Sequence, residues 1–353
     1  MKALILTHPL GTNYGGAMQC YALSVLLAEQ GYEVEVADMH PTTSRLKRFI
    51  KAILLFAGYY KETQKRFSGI SAFVKSHLKL TRKLYSSADL ESYIKGNNIS
   101  LIVVGSDQVW KASFAMNYGY SYFLDIHTEG VKKIAYAASI GSNKWDYSYN
   151  ETQKIKMLCR SFSGISVRED DAVDLLEKNV GIKAFHVLDP TLMISHNLYN
   201  SMCSQRIPKK KYVFVYWLWN KEMIQKSVEE IKQKYNYDIV ELSMRETKNL
   251  PTVEQWLSLI KYSEYVITDS FHGCAFAINF KRPFQYVRHP DVYDSRRESL
   301  LKMLEIDSSK FSESNVVQEY ARINSRKVKK QIESLDFLKA NICNSSLKIQ
   351  HMA

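Results

Sequence analysis

The stretch from Tyr265 to Phe280 holds the residue types from which an acid–base site is built. Tyr265 to Ile267 is an apolar run that reads as a buried strand. Thr268, Asp269 and Ser270 follow, then His272-Gly273, then small and apolar residues at helical spacing. A strand, a tight turn and a helix in that order bring side chains and free backbone N–H groups to the carboxyl edge of a parallel sheet. Open α/β sheets bind their ligands there. The first turn of the helix favours an anion, and a histidine facing that anion is expected to titrate near neutral pH. The same residues also suit a plainer role, with Asp269 or Ser270 as a helix cap above a histidine packed under a loop.

Other expected strands run into polar clusters of the same kind. Leu101–Val104 leads to Gly105-Ser-Asp-Gln-Val-Trp110, where Asp107 is a second candidate base and Trp110 is either an aromatic face for a sugar or a core residue. Ile165–Val167 leads to Arg168, whose guanidinium suits bidentate binding of a carboxylate or phosphate. Ala184–Leu188 leads to Asp189-Pro190, which reads as fixing the connection between domains. Near the N-terminus, Gly11-Thr-Asn-Tyr-Gly-Gly16 is not a GxGxxG fingerprint, although Asp38 lies at about the right distance beyond it. It reads as a polar pocket, with Asn13, Tyr14 and Gln19 set against sugar hydroxyls, or as a glycine pair that lets the first helix approach the sheet.

These sites need scaffolding that alternates strands and helices in two blocks, and the chain supplies it. The pattern predicts an α/β protein of two Rossmann-like, doubly wound domains facing a cleft. Residues 1–203 form the first, with a basic insert at about 44–83; residues 204–310 form the second. Residues 311–353 are a charged, helix-prone segment expected to pack back. A length of 353 residues fits two cores. The five cysteines are far apart and form no CxxC pair, so neither a disulfide framework nor a zinc site is expected. No HxxxH or DxD cluster suggests a metal either. A strand opens the chain at Ala3–Leu6 and is broken by His8-Pro9, too early for a signal peptide, and no apolar run is long enough to span a bilayer. A cytoplasmic location is expected. Between Ser44 and Lys83 there are eleven basic residues against one acid, Glu62, which accounts for most of the net charge of +12. With the apolar run Phe49–Ala57 inside it, this segment reads either as a surface for anionic lipid at the inner face of the plasma membrane or as a solvated helical face. No nucleic-acid recognition motif accompanies the charge.

Six segments in order, GTNYGGAMQCYAL, GSDQVW, AYAASIG, SVRED, VLDPTL and TDSFHGCAFAINF, together resemble the polysaccharide pyruvyl transferase family over most of residues 1–310. The resemblance implies a GT-B-like fold and transfer of pyruvate from phosphoenolpyruvate to two hydroxyls of a sugar, as a cyclic ketal. It implies phosphoenolpyruvate as co-substrate with no other cofactor, and a lipid-linked oligosaccharide as acceptor. The family's donor site has an arginine at the end of a first-domain strand and an Arg-Leu-His run in the second domain. His272 carries over as the histidine and Arg168 as the first arginine; Ser270 and Phe271 stand where the other arginine and the leucine would be.

The chemistry can be matched to residues. Protonation of the methylene carbon makes the vinyl carbon electrophilic, one hydroxyl adds, and a second then displaces phosphate. The site needs an acid, a base and an anion clamp. His272 is expected as the acid–base group, with Arg168, Ser270 and Gly273 on the donor. Arg282, Arg288, Arg296 or Arg297 would replace the missing cation. The alternative is a glycosyltransferase of the same fold with a nucleotide-sugar donor, using His272 as base and Arg296 at the diphosphate. A scaffold without catalysis would have no need of these groups at one edge.

Overall fold

The computed structural model describes residues 1–41, 60–206, 210–219, 221–288, 294–311 and 315–342. Seven strands make the first sheet: β1 (Lys2–Leu6), β2 (Glu33–Met39), β3 (Leu80–Leu84), β4 (Ile99–Val104), β5 (Lys132–Ala138), β6 (Gly164–Val167) and β7 (Phe185–His186). Four make the second: β8 (Tyr212–Trp217), β9 (Asp238–Ser243), β10 (Tyr265–Thr268) and β11 (Phe284–Tyr286). Every pairing of these strands is parallel. The spatial orders are β3-β2-β1-β4-β5-β6-β7 and β11-β10-β8-β9. Each sheet is doubly wound, with its order reversing between β1 and β4 in the first and between β8 and β10 in the second. At such a reversal the connections leave to opposite faces and open a crevice beyond the strand ends.

Sequence pattern explains the central strands. Tyr212–Trp217 and Ile99–Val104 are almost continuously apolar and are buried on both faces or nearly so, as helix-covered parallel strands must be. The helix Tyr14–Glu29 is buried over eleven of its residues, well beyond one stripe. Its N-terminal end is covered by the second domain: the Tyr14 ring stacks on Trp256 at 5.0 Å between centroids, and its hydroxyl donates to the Pro251 carbonyl. A helix that is apolar all round is one enclosed on all sides.

The last helix, Val316–Ile342, crosses between the two units. Tyr320 donates to the Ala277 and Arg282 carbonyls, Ser334 Oγ accepts from the Leu188 N–H, and Phe337 packs near Tyr136 and Phe185. Of the basic insert, residues 44–59, including the run Phe49–Ala57, lie outside the described residues. The rest is not a detached arm. Arg66 donates to the carbonyls of Met244 and Thr247 in the second domain, and Leu80–Leu84 forms the edge strand β3. The sequence reading missed that strand because only Thr81 and Leu84 face inward, while Leu80, Arg82 and Lys83 are exposed. Cationic side chains on an edge discourage pairing with another chain.

Candidate functional site

Both sheet reversals open into one cavity of about 580 Å³. His8 comes from the end of β1, Asp107 and Gln108 from the end of β4, Leu218 and Trp219 from the end of β8, and Asp269 to His272 from the end of β10. Lys111, Arg296 and Arg297 also line it, as does Asn13.

The turn after β10 is built by capping. Ser270 Oγ accepts the Gly273 N–H at 3.3 Å and starts the helix Phe271–Asn279. The N–H groups of Phe271 and His272 then have no acceptor within the helix. Gly273 is needed for packing, since a Cβ there would lie 2.4 Å from Thr268 Oγ1. Ser270 therefore lines the cavity as a cap, and the Gly273 N–H is occupied by it. Asp269 accepts from the N–H groups of Leu218 (2.7 Å) and Trp219 (2.9 Å), tying the two strand-end loops together.

His272 sits under this turn, 8% exposed, with Nε2 unpartnered. Burial pushes it down to about 4, against the pull of Asp189 and Asp107. Desolvation outweighs the carboxylates, so the imidazole is neutral at pH 7 with only the protein's own groups around it. The helix Tyr14–Glu29 explains its fixed position. A Cβ on Gly15 would lie 1.9 Å from His272 Nδ1, so the first turn of a first-domain helix rests directly on the imidazole. Asn13 caps that turn, its Oδ1 accepting from the Gly16 N–H at 3.0 Å. The glycine pair thus belongs to a helix start rather than a loop nest.

Arg168 is not a free anion clamp. It is buried, with Nη1 2.7 Å from Asp189 Oδ2 and Nη2 2.9 Å from Asp107 Oδ1, and its guanidinium lies over the Phe271 ring at 4.8 Å. Asp189 also accepts from Ser106 and from the Thr191 N–H and hydroxyl. Arg168 holds Asp107 in the cavity wall from behind, and Asp189-Pro190 anchors that pair as well as the chain. Burial would raise Asp107, but His8, Arg168, His272 and Arg296 outweigh it and keep the carboxylate well below its ordinary range.

Three expected acceptor contacts lie elsewhere. Trp110 is in the first core with its indole N–H on the Tyr122 carbonyl, Gln19 is buried with Nε2 on Thr7 Oγ1 and the Gly16 carbonyl, and Tyr14 is in the stack between domains. Of the downstream arginines, Arg296 and Arg297 reach the cavity at the start of the helix Ser295–Leu304. Arg288 is exposed and paired with Glu298, and Arg282 donates to the Ser263 carbonyl; neither lines the cavity.

Sequence reasoning missed His8 and Trp219. His8 stacks on Phe114 at 3.5 Å, its Nε2 is unpartnered, and burial lowers its affinity for a proton. Its signal was its place at the end of β1, read only as a strand break. No group of three His, Cys, Asp or Glu side chains that could hold a metal occurs among the described residues.

Two doubly wound parallel sheets meeting at one cavity define a GT-B-like fold. Solved structures agree on that architecture. A structure from Listeria monocytogenes described as a candidate UDP-N-acetylglucosamine 2-epimerase matches at 13% identity and TM-score 0.52, over 96% of this chain and 90% of that one. The UDP-GlcNAc 2-epimerase from Neisseria meningitidis, bound to UDP-GlcNAc, matches at 11% identity and TM-score 0.51, over 99% of both chains. These likenesses concern the fold alone. A search of curated proteins finds no match to the sequence. A family model described as polysaccharide pyruvyl transferase matches residues 13–289, and the chain belongs to that family.

Proposed function

We propose that the protein transfers pyruvate from phosphoenolpyruvate to two hydroxyls of a saccharide in polysaccharide synthesis, forming a cyclic ketal. The observation that carries this reading is His272, with a free Nε2 at a helix N-terminus and Arg296 lining the same cavity. The donor carries a phosphate and a carboxylate. Arg296, Lys111 and the N–H groups at the start of the Phe271–Asn279 helix are the groups suited to them. Arg296 would supply the cation absent at Ser270. Lys111 has no ion-pair partner among the described residues, which leaves its charge for a ligand.

Burial keeps His272 neutral at pH 7. The donor's negative charge raises its proton affinity, so the acid forms with the complex. His272 then gives its proton to the methylene carbon while His8 takes the proton of the first hydroxyl, whose oxygen bonds to the vinyl carbon. In the second half, neutral His272 accepts the proton of the second hydroxyl. That oxygen bonds to the same carbon, the carbon–oxygen bond to phosphate breaks, and His8 returns its proton to the phosphate. Two hydroxyl protons are lost, one is gained by carbon and one leaves on phosphate, so both histidines end as they began.

The full-length protein is to be incubated with phosphoenolpyruvate and a lipid-linked oligosaccharide pool, with phosphate release and product mass followed together. Equal release of phosphate and gain of a pyruvate ketal is expected. The serine at position 270 favours one other reading, a nucleotide-sugar-dependent glycosyltransferase. Hexose transfer from nucleotide sugars, with no phosphate released from phosphoenolpyruvate, would replace the first reading with the second.

A further inference from the structure

The cavity is in the size range that encloses a drug-sized ligand, larger than a molecule as small as phosphoenolpyruvate requires. On its second-domain wall stands Trp219, 66% exposed although it lines the cavity. An exposed apolar side chain is ordinary in itself. This one is held in place. Its backbone N–H and that of Leu218 both donate to Asp269, the residue before the Ser270 cap. The Arg245 guanidinium lies over the indole at 4.2 Å from the ring centroid, and the Arg245 N–H is in turn fixed on Ser243 Oγ at 3.1 Å. A cation at that distance stabilises the ring's orientation. One carboxylate therefore ties the backbone at Trp219 to the turn that carries His272, three residues further along the chain.

We propose that Trp219, backed by Arg245, is the platform on which one pyranose ring of the acceptor saccharide lies, its apolar C–H face against the indole. The assignment rests on the transfer reading above. The chemistry divides the cavity: anionic donor groups need Arg296, Lys111 and helix N–H groups, while an uncharged sugar presents C–H bonds that gain from an aromatic surface excluded from water. A preordered ring loses little entropy when the sugar docks. His8 and His272 line the same cavity, so a sugar on the indole shares it with both histidines. Trp219 is a positioning residue here; it carries no proton.

The test is saturation-transfer NMR on the full chain with methyl pyranosides of the gluco, galacto and manno series, one at a time, and separately with UMP. Wild type, Trp219→Ala and Trp219→Phe are compared, with circular dichroism to establish that each is folded. Phosphoenolpyruvate binding is followed in parallel by phosphorus NMR. The expected result is transfer to the C–H protons of one ring face for at least one pyranoside. Affinity should fall by about tenfold or more in Trp219→Ala and be largely restored in Trp219→Phe, with phosphoenolpyruvate binding unchanged. The assignment is overturned if no pyranoside gives a signal in wild type, if the signal survives Trp219→Ala, or if only UMP depends on Trp219. Failure of phosphoenolpyruvate to bind the wild type would instead remove the donor reading, and the pyranoside data would still decide the platform.

Discussion

Burial lowers the proton affinity of His272, and stability depends on pH as a result. The unfolded chain takes up this proton below about pH 6.5, the folded one only near 4, so stability falls as pH drops through that interval. The loss amounts to about 3 kcal/mol for a shift of this size. Thermal melts from pH 7 to 4 should show a steeper decline for wild type than for His272→Gln; parallel declines would mean that the histidine binds its proton equally well folded and unfolded. In turnover, His272→Gln should lose about 10²–10⁴-fold, as for a lost acid–base group, with phosphoenolpyruvate affinity little changed. Arg168 belongs to a different class. Its removal leaves Asp189 buried without its cation and Asp107 half-buried without its own, at a cost of about 3–5 kcal/mol. Arg168→Met should therefore first lower the melting temperature. A variant with wild-type stability and only weaker donor binding would restore Arg168 to the clamp.

At the scale of elements, two helix starts meet at the site. The first turn of Tyr14–Glu29 touches the imidazole through Gly15, and the first turn of Phe271–Asn279 carries it. Gly15→Ala places a methyl group inside van der Waals contact of the ring. Either the helix or the histidine must move, and a displacement of about 1 Å can cost 10²-fold in rate. Such a loss, with the protein still folded, is the expected outcome in a phosphate-release assay. Gly16→Ala, whose added Cβ would have ordinary contacts at 3.7 Å and beyond, serves as the control and should retain most activity.

At the scale of the molecule, the crossing helix joins the two units. Phe337 is buried between it and the first sheet, so Phe337→Ala should cost about 3–5 kcal/mol, read by denaturant unfolding. The basic segment is the other global feature. Lys79 pairs with Glu33 and Glu35, and Arg66 is committed to carbonyls of the second domain, so part of its charge is already engaged. The remaining cations of 45–83 are proposed to hold the enzyme at anionic lipid, where a lipid-linked acceptor would be presented. Cosedimentation with anionic vesicles should weaken as salt is raised; equal binding to neutral vesicles would exclude charge as the cause.

The sequence alone determined the alternation of strands and helices, the polar clusters at strand ends and the histidine at the turn after β10. Each is a local property, set by periodicity, capping and turn chemistry within a few residues. The edge strand β3 escaped because its inward positions are too few to show a period. Tertiary structure decided which groups are spent and which remain free. Arg168 reads as a clamp until Asp107, 61 residues away, and Asp189, 21 away, take both arms of its guanidinium. Tyr14 reads as a sugar contact until its hydroxyl finds Pro251, 237 residues on. His8 reads as a strand break and Trp219 goes unread until two sheet reversals bring them to the same cavity. A side chain's chemistry depends on its partners and its exposure to water. Partners at such separations are chosen by the packing of whole sheets, which no local pattern records.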